Sequence, residues 1–189
     1  MEAKQYYRRN LPHWHPPGAA LFVTWRLYGS LPKAVLLMLE EKKHLKEGRR
    51  FVLADRELDK GSIGPLWLKE PRIAKCVVDS LRRGENEFGH YALHAFVVMA
   101  NHVHALLTPR APVSKAMRSL KRKTAATANQ ILGRQGQRFW QDESFDRWCR
   151  NEAEFARIQE YIEWNPVKAG LVQRPQDWPW SSASRSTGS

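Results

Sequence analysis

The chain has 189 residues, 42% of them hydrophobic, and its 31 Lys and Arg against 19 Asp and Glu give a formal net charge of +12. That length and apolar content fit one folded domain, expected over 1–189 with a core from about 15 to 182, and exclude a disordered chain. No apolar run is long enough to span a membrane and the start has no signal-like stretch, so the basic balance points to a polyanion in solution, nucleic acid first.

Residues 1–18 read as a basic, Pro-rich arm. Its His13 and His15 precede Pro16-Pro17 and not a hairpin strand, so they belong to a surface arm. Residues 19–28 are rich in β-formers and predict a strand. A helix is expected over 32–47, with Pro32 in its first turn. Residues 48–68 are mixed and carry Gly61, Gly64 and Pro65, which reads as a loop without an assigned role. A second helix is expected over 70–83, stopping near Gly84. The apolar run 91–99 predicts a buried strand, Ala100-Asn101 a short turn, and 102–108 the return strand of a hairpin. A two-residue turn pairs Met99 with His102 and Val97 with His104, and places His94 on the opposite face. An amphipathic helix follows over 113–132, with Val113, Met117, Leu120, Thr124, Ala128 and Ile131 on one stripe. A short strand is expected over 138–141. Asn151 has Glu154 three residues on and reads as the N-cap of a helix that ends at Asn165, before Pro166. A polar, frayed tail closes the chain. This order of elements fits an α+β, ferredoxin-like sandwich: an antiparallel sheet with helices packed on it and a C-terminal helix that bears a tyrosine.

The charge is unevenly placed. No Asp or Glu occurs from Phe88 to Gln141, a stretch that holds eight Lys and Arg. Lys115, Arg118 and Arg122 share a face of the 113–132 helix, with Lys121 and Lys123 beside them, a face suited to phosphate contacts. Arg138, Trp140 and Trp148 are candidates for cation–π or stacking contacts to unpaired bases, although core packing is the better reading for at least one of the tryptophans. The two cysteines, Cys76 and Cys149, have no metal-type spacing and fit a reduced, cytoplasmic chain.

His102 and His104 are two apart on a strand, so their imidazoles share a face and can share a metal ion. Taken alone, that pattern is common. In the 151–165 helix, Phe155, Ile158 and Ile162 form the inward stripe, Asn165 falls within it and Tyr161 on its edge, four residues before Asn165. A tyrosine hydroxyl, a two-histidine site and a basic surface together match the needs of tyrosine-mediated DNA cleavage: a nucleophile that forms a covalent intermediate and a cation that polarises the phosphate. Of the five tyrosines, Tyr161 follows the histidine pair and the others precede it.

The segments Asn101-His102-Val103-His104, Phe139-Trp140-Gln141, the run 161–172 with its Tyr-x-x-x-Asn-Pro-Val-Lys-x-Gly core, and the run 177–182 resemble the REP-associated tyrosine transposases, single-tyrosine members of the HUH superfamily. The resemblance covers about 15–182; Ala100 departs from it, where the family often has Pro. It implies single-stranded DNA with hairpins as substrate, Mg²⁺ or Mn²⁺ as cofactor and a 5′-phosphotyrosine intermediate. Residue by residue, it implies His102 and His104 as metal ligands, Tyr161 as nucleophile and Asn165 at the position completing the metal site. A monomer and a homodimer both fit. A domesticated hairpin-binding protein that no longer transposes shares the same residues, and a metal-dependent hydrolase using water in place of Tyr161 is a third reading.

Overall fold

The computed structural model describes residues 6–8, 12–14, 16, 18–42, 44–45, 47–60 and 64–184. Strands β1 (Tyr6–Arg8) and β2 (Pro12–Trp14) pair antiparallel, so part of the expected arm is a small hairpin. His13 lies in β2, while His15 and the last five residues of the expected frayed tail lie outside the described residues.

The main sheet is built from β3 (Leu21–Arg26), β4 (Tyr91–Val98), β5 (His102–Pro109) and β6 (Phe145–Trp148), in the spatial order β4-β5-β3-β6 with every pair antiparallel. Helices α1 (Lys33–Glu41), α2 (Glu47–Lys60) and α3 (Pro71–Asn86) connect β3 to β4, and α4 (Val113–Ile131) connects β5 to β6. This is the expected ferredoxin-like α+β arrangement, a βαββαβ path with a first strand at the centre. It is extended by α5 (Glu152–Glu163) and the one-turn α6 (Asn165–Lys168). Among the described residues no helix is long and apolar enough to cross a membrane.

Alternation along the strands splits the apolar residues into two layers. Leu21, Val23, Trp25, Val103, Ala105 and Leu107 face α3 and α4 and form the larger core with Ile73, Val77, Leu81, Met117 and Leu120. Phe22, Ala95, Val97 and Leu106 face the other way, where Ile162, Phe155 and Ile158 of α5 and Phe51 of α2 cover them. The second layer is smaller, and the polar groups described below sit in it.

Several local features differ from expectation for identifiable reasons. The helix expected over 32–47 ends early, α1 stopping at Glu41, and most of the loop expected over 48–68 is α2. The inward face of α2 carries Phe51, Asp55 and Leu58, a pattern in which a carboxylate interrupts the apolar stripe. Gly84 does not stop α3. It lies buried inside the helix, where a Cβ would collide with the Tyr91 ring and hydroxyl, and Tyr91 Oη donates to Leu81 O at 2.9 Å. The chain turns instead at Gly89, whose φ of +59° is left-handed. The expected strand over 138–141 reduces to one bridge, Leu27 to Trp140, and the edge strand is β6, whose half-buried residues carry little hydrophobic signal. A β-bulge between Leu93 and Ala95 moves His94 onto the α5 side, not the opposite face: it stands against Phe155, exposed, with Nε2 2.8 Å from Thr108 Oγ1.

Gly84→Ala is expected to destabilise the fold. Overpacking against buried Tyr91 costs about 1–3 kcal/mol, against a gain in helix propensity of about 1 kcal/mol. Thermal denaturation checks it, with a lowered Tm as the expected result and an unchanged or raised Tm as the contrary one.

Candidate active site

The hairpin register places the histidine pair. Val97 pairs with His104, and Met99 N bonds His102 O at 2.9 Å, as a two-residue turn requires. On the other side of β5, Thr24 of β3 pairs with His104 and Arg26 with His102. Both imidazoles are fully buried and point to the α2–α5 side, with their Nε2 atoms 3.1 Å apart.

Each ring is held from behind. His102 Nδ1 lies 2.7 Å from Asn101 Oδ1, and Asn101 Nδ2 donates to Leu58 O of α2 at 3.0 Å. The second bond fixes the amide, so Oδ1 is the acceptor, His102 Nδ1 carries the proton and His102 Nε2 presents a lone pair. His104 Nδ1 is 2.7 Å from Thr24 Oγ1, and Phe22 stacks on the His104 ring at 5.5 Å. Burial pushes His102 down to about 3; burial, then His102, drives His104 well below the ordinary histidine range. Both rings are neutral at pH 7, the form that ligates metals.

Two carboxylates from α2 complete the enclosure. Asp55 Oδ1 lies 3.3 Å from His104 Nε2 and 3.9 Å from His102 Nε2, and Asp59 Oδ1 lies 3.7 Å from His102 Nε2. Burial, then Asp59, raises Asp55 to about 8 against the opposing pull of Lys168; burial raises Asp59 to about 6. Asp55 Oδ1 and Asp59 Oδ1 are buried without a hydrogen-bond donor. Ligand atoms of Asp55, His102 and His104 all lie within 4.8 Å of one another. Imidazole nitrogen and orphaned carboxylate oxygen facing one small space are a donor set that a divalent cation satisfies. Segment 48–68, given no role from its sequence, thus supplies a member of the triad.

Tyr161 reaches the same place from α5. Asn151 Oδ1 accepts from Glu154 N at 2.8 Å, the expected N-cap, and the helix runs to Glu163 before Trp164 caps it. The Tyr161 hydroxyl donates to Asp55 Oδ2, and its ring stands 5.7 Å from that of His104 and 6.0 Å from that of Phe22. One carboxylate therefore contacts both the phenol and the imidazole pair. Asn165 is buried at the start of α6 with both amide atoms lacking a hydrogen-bond partner.

The expected DNA-binding residues lie elsewhere. Arg118, Lys121, Arg122 and Arg138 line a groove of about 930 Å³ between α4 and residues 137–146, which also touches Val23 and so lies on the sheet face away from the histidines. Lys115 is exposed on α4, and Lys123 lines a separate cleft of about 510 Å³ between α3 and α4. Lys121 Nζ donates to Gln141 O at 3.0 Å and Asp142 O at 3.2 Å, so it also fastens the groove wall. Arg138 sits over Tyr28 at 5.3 Å. Trp140 is a core residue, its Nε1 donating to Thr124 Oγ1 at 2.9 Å, and Trp148 is half-buried against the same core. Asp142, Glu143 and Asp146 also line the groove and temper its positive charge.

Residues 69–165 match the family described as "Transposase IS200 like". The chain is 28% identical over 98 residues to the REP-associated tyrosine transposase of Escherichia coli K12, spanning 50% of this chain and 56% of that one. A Haemophilus influenzae protein assigned by name to the same transposases is 28% identical over 109 residues, 51% of this chain and 62% of its own length. The matches thus span little more than half the length of these relatives. A REP-associated tyrosine transposase solved bound to a REP hairpin superimposes with a TM-score of 0.54 at 20% identity, covering 93% of this chain and 81% of the other, which establishes a shared fold. Asp55 lies outside the matched 69–165 segment.

Asp55→Asn separates stability from cation binding. The raised Asp55 means that the folded chain favours the protonated carboxyl. Its contribution to stability is complete below the ordinary carboxyl value of 3.8 and is lost as pH rises toward about 8. In metal-free buffer at pH 8 the Asn variant should melt above the parent, with the gap shrinking at pH 5. In Mn²⁺ titration calorimetry it should bind about tenfold or more weakly. Unchanged Mn²⁺ affinity would remove Asp55 from the cation site.

Proposed function

Because the chain belongs to the IS200-like transposase family, we propose that it cuts and rejoins single-stranded DNA at hairpins, with Tyr161 as nucleophile and a 5′-phosphotyrosine intermediate. The observation that carries this reading is the Tyr161 hydroxyl bonded to Asp55, whose other oxygen faces the buried His102–His104 pair. A water-using hydrolase has no need of a phenol at that position.

His102, His104 and Asp55 would hold Mg²⁺ or Mn²⁺, with the unpartnered amide of Asn165 a further oxygen donor four residues from Tyr161. When bound, the cation supplies Lewis acidity toward the scissile phosphate. The rest belongs to the side chains. Phe22 and His104 hold the Tyr161 ring, and Asp55 Oδ2 orients its hydroxyl and, in the ionised form that a neighbouring cation would favour, receives its proton. The phenolic oxygen forms a bond to phosphorus while the phosphorus–O3′ bond breaks, and the 3′ oxygen leaves as a hydroxyl with the proton returned to it. The reverse attack by a 3′-hydroxyl rejoins a strand and restores Tyr161. The α4 groove, with Arg118, Arg122 and Arg138, would hold the hairpin through its phosphates.

Hairpin oligonucleotides from the DNA flanking the gene, incubated with Mn²⁺ and run on a denaturing gel, test the proposal. The wild type should give a protein–DNA band that Tyr161→Phe and His102→Ala/His104→Ala each abolish. A band surviving Tyr161→Phe would overturn the nucleophile. Tight hairpin binding on a native gel with no band would identify a domesticated binder. Charge reversal of Arg118 and Arg122 together should weaken hairpin binding and flatten its salt dependence, and unchanged affinity across a salt titration would rule out the α4 groove.

A further inference from the structure

Lys168 follows Tyr161 by seven residues and Asn165 by three, just beyond the segment matched to the family. Helices α5 and α6 run on almost as one. Trp164 N bonds Glu160 O at 2.9 Å and Lys168 N bonds Trp164 O at 3.0 Å, and the interruption between them is the single residue Trp164, two before Pro166, which has no N–H to give. Positions i, i+4 and i+7 return to one side of a helix, so Tyr161, Asn165 and Lys168 share a face.

On that face Lys168 Nζ lies 4.8 Å from the centroid of the Tyr161 ring, while the residue stays exposed. Its charge also acts on both Asp55 and Asp59. It is thus an exposed cation that stands beside the ring of the proposed nucleophile and is near enough to the site's carboxylates for its charge to act on them.

The charge balance of the reaction gives that position a use. The two imidazoles are neutral, and a divalent cation would offset no more than two aspartates in their ionised form. An arriving phosphodiester brings one negative charge, and the phenolic oxygen develops another as it loses its proton. Positive charge fixed beside the reacting oxygen stabilises this state more than the ground state. The flexible four-carbon stem of a lysine leaves the ammonium free to turn from the ring face toward the phenolic oxygen.

We propose that Lys168 is a catalytic residue of the strand-transfer reaction, its ammonium anchoring the scissile phosphodiester beside Tyr161 and stabilising the phenolic oxygen as the oxygen–phosphorus bond forms. Lys168 keeps its proton throughout; the Tyr161 proton goes to Asp55 and the leaving group is the 3′ oxygen. The inference rests on Tyr161 being the nucleophile, and its test separates the two. A purely structural alternative exists, since a lysine in the last turn of α6 also complements the helix dipole.

The experiment measures single-turnover adduct formation with the flanking hairpin oligonucleotides and Mn²⁺ for wild type, Lys168→Met, Lys168→Arg and Tyr161→Phe. Lys168→Met should slow the adduct about 100-fold with Tm unchanged and calorimetric Mn²⁺ affinity not weakened, and Lys168→Arg should recover most of the rate. A Lys168→Met rate equal to wild type, with Tyr161→Phe inactive, overturns this inference and leaves the nucleophile in place. A drop in rate matched by a drop in Tm, not relieved by Arg, overturns it in favour of the helix-dipole role. Anchoring is also read without turnover: in a Tyr161→Phe background, Lys168→Met should weaken Mn²⁺-dependent binding of the same oligonucleotide several-fold, and equal affinity overturns the anchoring.

Discussion

Two buried imidazoles whose Nε2 atoms face each other at 3.1 Å, closed over by the Asp55 carboxylate, set the terms for the rest of this protein. Two neutral rings and a carboxyl group, all buried, are tolerated only where something holds them. Three tethers do so here. Asn101, in the β4–β5 turn, grips His102 with one amide atom and the α2 backbone with the other; Thr24 grips His104 from the neighbouring strand; and Tyr161 bonds Asp55 from α5. Strand, turn and two helices from distant parts of the chain thus converge on one set of polar groups.

The division of the sheet into unequal layers lets the fold support that arrangement. The α3–α4 side is a continuous apolar core, from Leu21 through Leu107 and Leu120, and contributes most of the hydrophobic stabilisation. The α2–α5 side has a smaller apolar cluster, including the stacked rings of Phe51 and Phe145 at 4.2 Å, and gives its centre to polar groups. A bound cation would do for the second layer what hydrophobic packing does for the first. Function would then draw on the stability of the opposite face, and α2, which packs through Phe51 and Leu58 and brings in the carboxylates, would be the element whose docking gains most from a bound cation.

Much of this was legible in the sequence because it follows from short-range rules. A two-residue turn after an apolar run fixes the hairpin register, and the register alone places His102 and His104 side by side. Asn151 with Glu154 marks the start of the tyrosine helix, and the period of 113–131 marks α4. What escaped did so for a shared reason: the residues that carry chemistry break the patterns that reveal structure. Asp55 occupies an inward position of α2 where the helical stripe calls for an apolar residue, and with Gly61, Gly64 and Pro65 close behind, the mixed segment reads as loop and hides its carboxylate. Gly84 read as a stop because a glycine required by the Tyr91 hydroxyl looks the same in sequence as one that ends a helix. The bulge at His94 turned a face prediction around by a single residue. Asn101 read as a turn residue, and nothing local announces that its side chain bridges an imidazole to a helix more than forty positions earlier.

The most direct test is a crystal structure of the Mn²⁺-loaded protein with data collected for the anomalous signal of manganese. The account predicts one strong peak shared by His102 Nε2, His104 Nε2 and a carboxylate oxygen of Asp55, with α2 docked on the sheet. A peak on the histidines with Asp55 turned away and α2 displaced, or a peak elsewhere in the molecule, would contradict it.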